Sequence, residues 1–137
     1  MAEQATASEN VMPKHGTFCW QELHSRDLES SKTFYREVFG WEMERSTAMG
    51  DQMEYIEFGA AGGEKIGGMF QMGAEFGDMP AHWMSYIAVD NVDEAAKRVE
   101  ELGGKVCVPP TNIPNVGRFS VINDPSGAVF SLLTMKV

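Results

Sequence analysis

Apolar residues in this chain fall in two kinds of run, and the runs recur in the same order. From Gly16 to Leu23 the sequence GTFCWQEL is apolar and aromatic at strand length and stops at the polar HSRD, which predicts a strand. Asp27 then precedes LESSKTFYREVFG, where Leu28, Ser31, Phe34, Tyr35, Val38 and Phe39 recur at helical spacing. That spacing predicts a helix with one buried face, Asp27 as its N-cap and Gly40 as its terminating glycine. WEMERS from Trp41, QMEYIEF from Gln52 and KIGGMFQM from Lys65, separated by glycine-bearing turns, predict three more strands. The connector GAEFGDMPA bars regular structure through its glycines and proline. After it come a strand in WMSYIAV, a helix in VDEAAKRVEEL, and strands in KVCV, RFSVIN and AVFSLLTM. Asn91, with Glu94 three residues on, suits a capping box for the second helix, and Gly103 and Gly104 end it. Asp124-Pro125-Ser126-Gly127 places each residue where a type I turn favours it, joining the last two strands.

The two series are in ungapped register. Adding 64 to a residue number takes Leu28 to Val92, Glu29 to Asp93, Val38 to Leu102, Gly40 to Gly104 and Gly63 to Gly127. Two copies of one βαβββ unit are therefore expected, related by a pseudo-two-fold axis. At 137 residues the chain fits one domain, and halves of roughly 60 residues are too small to expect independence. The expected layout is a flexible N-terminal arm over 1–15 and a single domain over 16–137, with modules 16–72 and 83–135 joined by 73–82. Whether the modules close on each other within one chain or pair with those of a second chain is open, and a homodimer is the expected assembly.

Charge and cysteine content narrow the partners. A net charge of -9 repels phosphate backbones and anionic lipid, so nucleic-acid and membrane binding are not expected. No apolar run reaches the roughly 18 residues of a membrane span, and the polar stretch Met1–Asn10 is no signal peptide. Cys19 and Cys107 sit in apolar runs without CxxC spacing, which suits reduced buried thiols and a cytoplasmic location.

The doubled βαβββ pattern resembles the vicinal oxygen chelate superfamily of glyoxalase, bleomycin-resistance and extradiol-dioxygenase proteins. The resemblance rests on DLESSKTFYREVFGW after the first strand, then LGGKV and a GRF...NDPSG segment in the second half, and covers about Gly16 to Thr134. The CW of the first strand, FGW after the first helix and HW before the fifth strand look like the subfamily labelled hydroxylase or antigen-like. It implies an α+β fold of two βαβββ modules forming a curved, mixed eight-stranded sheet with helices on the convex side. It also implies a divalent ion on the concave face, held by first and last strands of each module. The ligand positions then fall at Trp20 and Met84, counting back from the helices, and at Ser131 and its repeat mate Gly67, counting forward from the DPSG turn. None can supply an imidazole, carboxylate or amide donor, and a slip by one to Gly68 is no better, so no metal and no other cofactor is expected.

Strand alternation puts Phe18, Trp20, Glu22 and His24 on that face, with Cys19, Gln21 and Leu23 toward the helix. His82, Met84, Tyr86 and Ala88 follow from the fifth strand, and Met69, Leu133 and Met135 from the closing strands. Such an aromatic, methionine-bearing concavity suits a small aromatic or amphipathic ligand touching Trp20, Met69, His82, Met84, Tyr86 and Ser131. Glu22 and His24, a carboxylate and an imidazole on one strand face, are the candidate acid–base pair. Stepping along antiparallel first and fifth strands also sets Glu22 near His82. Three functions stay open: a metal-free binding protein, an enzyme using displaced ligands from Glu22, His24 and His82 or the Glu22/His24 pair alone, and a non-catalytic dimerisation module. Glycine-rich GGEKIGG lacks the ending of a phosphate-binding loop and sits between strands.

Overall fold

The computed structural model describes residues 13–48 and 53–135, so Met49, Gln52 and nearly all of the expected arm lie outside the described residues. It divides into two compact units, Trp20–Met84 and the rest of the described chain. The division falls inside the first and fifth strands.

The first unit holds β1 (Phe18–Ser25), α1 (Leu28–Phe39), β2 (Glu42–Arg45), β3 (Ile56–Gly59) and β4 (Gly67–Gln71), with strand order β2-β3-β4-β1. β4 runs parallel to β1 and antiparallel to β3, and β3 runs antiparallel to β2. A single 3-10 turn, Ala74–Phe76, follows. The second unit repeats the pattern with β5 (His82–Ala88), α2 (Val92–Glu101), β6 (Lys105–Ile113), β7 (Gly117–Asn123) and β8 (Val129–Met135), in order β5-β8-β7-β6. The fold is α+β, built of two βαβββ modules as the sequence pattern predicts.

Local chemistry explains the helix ends. Asp27 accepts a hydrogen bond from the Ser30 N–H at 3.1 Å, and Gly40 closes α1 in the left-handed conformation at φ 70°. Asn91 caps α2 in the same way, accepting from the Glu94 N–H at 3.1 Å. On α1 the apolar stripe is narrower than the spacing suggests. Leu28 is buried and Tyr35 packs on the core, whereas Phe34, Val38 and Phe39 are exposed by more than half. Phe34 follows Leu28 by six residues, about 240° round a helix, which turns it away from the strands. On α2, Val92 and Ala96 are buried and Val99 packs beside them, at proper i, i+4, i+7 spacing.

Each unit has its own core. Beneath α1 lie Leu23, Leu28, Ile56, Phe58 and Met69, with Trp41 stacked on Phe58 at a ring separation of 4.3 Å. Burying side chains of this size is worth about 1.5–3 kcal/mol each. Beneath α2 lie Val89, Val92, Ile122 and Leu132. Cys19 and Cys107 are free thiols, with Cys19 half-buried and its pKa raised by that burial. Cys107 is exposed, contrary to expectation, because its neighbour Val106 packs on the core and alternation sends Cys107 to the other face.

The modules differ by one residue in the pairing of their last strands, and this decides which side chains share a face. In the first unit Gln21 pairs with Gly67, Glu22 with Gly68, Leu23 with Met69 and His24 with Phe70. A 64-residue offset would pair Ser85 with Ser131, but Tyr86 pairs with Ser131 instead. Shifting register by one moves every side chain to the opposite face. Gly68, not Gly67, is thus the β4 position beside Glu22, and Met69 belongs to the core beneath α1 and not to the candidate site.

At the β7–β8 connection, Asp124 Oδ1 accepts from the Ser126 hydroxyl at 2.7 Å, the Ser126 N–H at 2.8 Å and the Ala128 N–H at 3.1 Å. These bonds, the Ser126 hydroxyl first, hold its carboxyl below the usual range. A carboxyl lowered in the folded state adds stability above its unfolded pKa of about 3.9, and loses it as pH falls through the folded value. Asp124→Ala should lower the melting temperature at pH 7, and calorimetry should show the gap to the parent closing below about pH 4. A gap that persists unchanged at pH 3 would mean the charge is not what stabilises the turn.

Candidate functional site

The face of the first unit opposite α1 carries a chain of polar side chains. The Trp20 indole N–H donates to the Tyr55 hydroxyl oxygen at 2.8 Å, and the Tyr55 O–H donates to Glu22 Oε2 at 2.7 Å. Glu22 Oε1 lies 2.8 Å from His24 Nε2. A carboxylate only accepts, so with Glu22 ionised Nε2 is the protonated ring nitrogen of His24 and donates. The side chains of Glu22 and His24 are only 13% and 10% exposed, which strengthens such bonds and makes any loss of them costly.

β1 builds this row by alternation, since Trp20, Glu22 and His24 project from one face while Leu23 enters the core. Gly68 makes room for Tyr55. A Cβ there would stand 2.3 Å from the phenol ring, so only glycine lets the ring lie across β4 and reach Glu22.

Rings surround the imidazole of His24. Phe70, its partner across the β1–β4 ladder, lies 4.6 Å away between centroids, His82 4.5 Å and Phe76 5.7 Å. Phe70 also stacks on Tyr55 at 6.3 Å. Phe76 is carried by the 3-10 turn, and Arg26 bonds the carbonyls of Gly77 and Met79 just beyond it. Nδ1 of His24 is buried and has no hydrogen-bond partner among the described residues.

Of the residues expected from sequence, Glu22 and His24 meet directly and Trp20 joins them through Tyr55. The His82 ring lies 4.5 Å from that of His24, its Nδ1 lies 2.9 Å from the Pro80 carbonyl, and Glu22 bonds His24. A carbonyl only accepts, so His82 Nδ1 is the protonated atom. Met69 is fully buried under α1. Met84 is buried. In the second unit Tyr86 and Ser131 are ladder partners, and the Ser131 hydroxyl is buried without a hydrogen-bond partner among the described residues. Arg118 clasps Asp93 with two bonds of 2.9 and 3.0 Å and lowers that carboxyl's pKa.

Tyr55, Phe70 and Phe76 were missed by sequence reasoning. Alternation along YIEF could have found Tyr55, since Ile56 and Phe58 are the core positions. Phe70 needed the β4 register, and Phe76 sits where no periodicity speaks. Among the described residues no three His, Cys, Asp or Glu side chains converge as a metal cluster. No described helix is long and apolar enough to cross a membrane.

A doubled βαβββ fold with its polar groups on the strand face away from the helix defines a protein of the vicinal oxygen chelate type. The sequence profile of the Glyoxalase/Bleomycin resistance protein/Dioxygenase superfamily matches residues 20–132, and the chain belongs to that superfamily. It is 36% identical over 119 residues to CFP32 of Mycobacterium bovis, named provisionally as a glyoxylase, covering 86% of this chain and 44% of that protein. It is 31% identical over 131 residues to the anthracycline biosynthesis protein DnrV of Streptomyces peucetius, covering 85% of this chain and 46% of that one. The chain thus spans less than half the length of these curated relatives. A solved methylmalonyl-CoA epimerase of Streptomyces coelicolor shares the fold at a TM-score of 0.62 and 17% identity, covering 90% of this chain and all of that one.

Proposed function

We propose that this chain is a member of the superfamily that binds a small aromatic or amphipathic molecule without a metal ion, on the face carrying Trp20, Glu22, His24 and Tyr55. The observation that carries the reading is the commitment of Glu22. Its carboxylate, the best donor on the face, is held by Tyr55 and His24 at 2.7 and 2.8 Å. The positions where the superfamily would place ligands do not suit a divalent ion either. Trp20 offers only an N–H, already given to Tyr55, Gly67 and its neighbour Gly68 offer no side chain, Met84 offers a soft thioether and Ser131 a neutral hydroxyl. Rings and one buried polar row are the usual build of a small-molecule site. Two relatives carry names from small-molecule chemistry, a glyoxylase and an anthracycline biosynthesis protein.

A second reading is an enzyme of the superfamily that uses Glu22 and His24 as an acid–base pair. The bond between them and the open Nδ1 of His24 favour it.

A thermal-shift screen of small flat aromatic compounds, with tryptophan fluorescence as a second readout, tests the first reading. A compound present at about 100 times its dissociation constant adds roughly 2.7 kcal/mol of stability. The expected result is a stabilising compound whose fluorescence response disappears in Trp20→Phe and survives chelator treatment. A response abolished by chelator and restored by a divalent ion overturns metal independence. A response unchanged in Trp20→Phe removes this face from the site.

A further inference from the structure

Among the polar atoms on the Trp20–Tyr55–Glu22–His24 face, Nδ1 of His24 stands apart. Trp20 donates to Tyr55, Tyr55 to Glu22, and His24 Nε2 to Glu22, so each of those bonds has both its donor and its acceptor within the row. The same bonds place a proton on Nε2 of His24, which in the neutral imidazole leaves the lone pair on Nδ1. His82, the nearest imidazole, cannot supply a donor in this state. Its Nδ1 carries a proton against the Pro80 carbonyl, so in the neutral ring its Nε2 also holds a lone pair. Phe70 and Phe76, the other rings around His24, have no polar hydrogen. In that form Nδ1 is an acceptor on a side chain that is nine-tenths buried, with no donor among the described residues.

From this we infer that His24 Nδ1 accepts a hydrogen bond from a hydroxyl borne on a flat aromatic ring, so that the ligand is a phenol. The inference rests on the small-molecule reading above and names its chemical class. A hydroxyl brings one donor hydrogen to one lone pair, whereas an ammonium group would bring three donors. Phe70, Phe76 and Tyr55 provide faces and edges for a planar apolar body, and rings pair well with rings in offset or edge-on geometry. Glu22 strengthens the acceptor. A carboxylate on Nε2–H raises the electron density of the ring, as it does for histidines that bind metals. Phe76 is the ring that can yield, since it rides on one 3-10 turn between Gly73 and Gly77 rather than on a paired strand.

The test compares 2-naphthol with 2-methoxynaphthalene, which keeps the rings and loses the donor, by calorimetric titration of the full chain. Nitrogen-15 NMR of His24 is recorded alongside. The expected result is at least tenfold tighter binding of 2-naphthol, with the Nδ1 resonance moving on addition of 2-naphthol and not of the ether. His24→Phe should erase the preference, because phenylalanine keeps a flat ring and has no acceptor in place of Nδ1. Equal binding of the two compounds to the parent protein overturns the inference and leaves the small-molecule reading standing, a comparison that needs no variant. A preference that survives in a folded His24→Phe protein also overturns it. Failure of both compounds to bind removes this assignment and counts against the reading beneath it.

Discussion

Gly67→Ala is expected to cost at least the roughly 1–3 kcal/mol typical of an overpacked core, and to loosen the pairing of β1 with β4. A Cβ at this position would stand 2.1 Å from the Gln21 carbonyl oxygen and 2.5 Å from Phe58 Cζ. The first obstacle is backbone of the neighbouring strand, so no rotamer change relieves it. The second is a ring in the middle of the core, stacked on Trp41. Gly68→Ala offers the contrast. There the added carbon meets only the Tyr55 ring, at 2.3 Å, and a side chain can swing aside. Its stability loss should be smaller, but the displaced phenol would give up its bonds to Trp20 and Glu22. Urea unfolding of both variants, with tryptophan fluorescence of the folded states, checks the pair. Equal and negligible losses would show that β4 does not lie against β1 in this register.

Glu22→Ala should be the most damaging change on the site face. It leaves the Tyr55 O–H and the His24 Nε2–H, both now bound to the carboxylate, without that acceptor. A buried donor stripped of its partner costs about 1–3 kcal/mol, so the two together are a large part of a small domain's stability. Glu22→Gln keeps one carbonyl oxygen and should recover part of the loss. The same comparison reads out function, because glutamine cannot hold the His24 proton on Nε2 as a carboxylate does. Chemical denaturation of the three proteins decides the ranking. Parity of Glu22→Ala with the parent would mean the row contributes nothing to the fold.

Much of the fold was legible because its signals are local. Asp27, Gly40 and Asn91 mark helix ends through chemistry confined to one turn, and the structure uses all three as caps. Strand alternation along β1 correctly grouped Trp20, Glu22 and His24, since the period of two is a property of the backbone itself. The repeat fixed the order of elements in both modules. It could not fix their pairing. The placement of Glu22 and His24 on one strand face follows from sequence, but Tyr55 and Phe70 enter the group only through neighbouring strands.

What the sequence determined by itself, then, is the family, the βαβββ order and the chemistry of one strand face, because each is written in contiguous or repeating residues. The tertiary structure alone decided which β4 residues meet that face. Its one-residue difference in ladder register sends Met69 into the core beneath α1, brings Phe70 against His24, and puts Gly68 under Tyr55. A periodic pattern specifies that alternate residues share a side, but which side a strand shows depends on how its hydrogen bonds align with a neighbour distant in the chain.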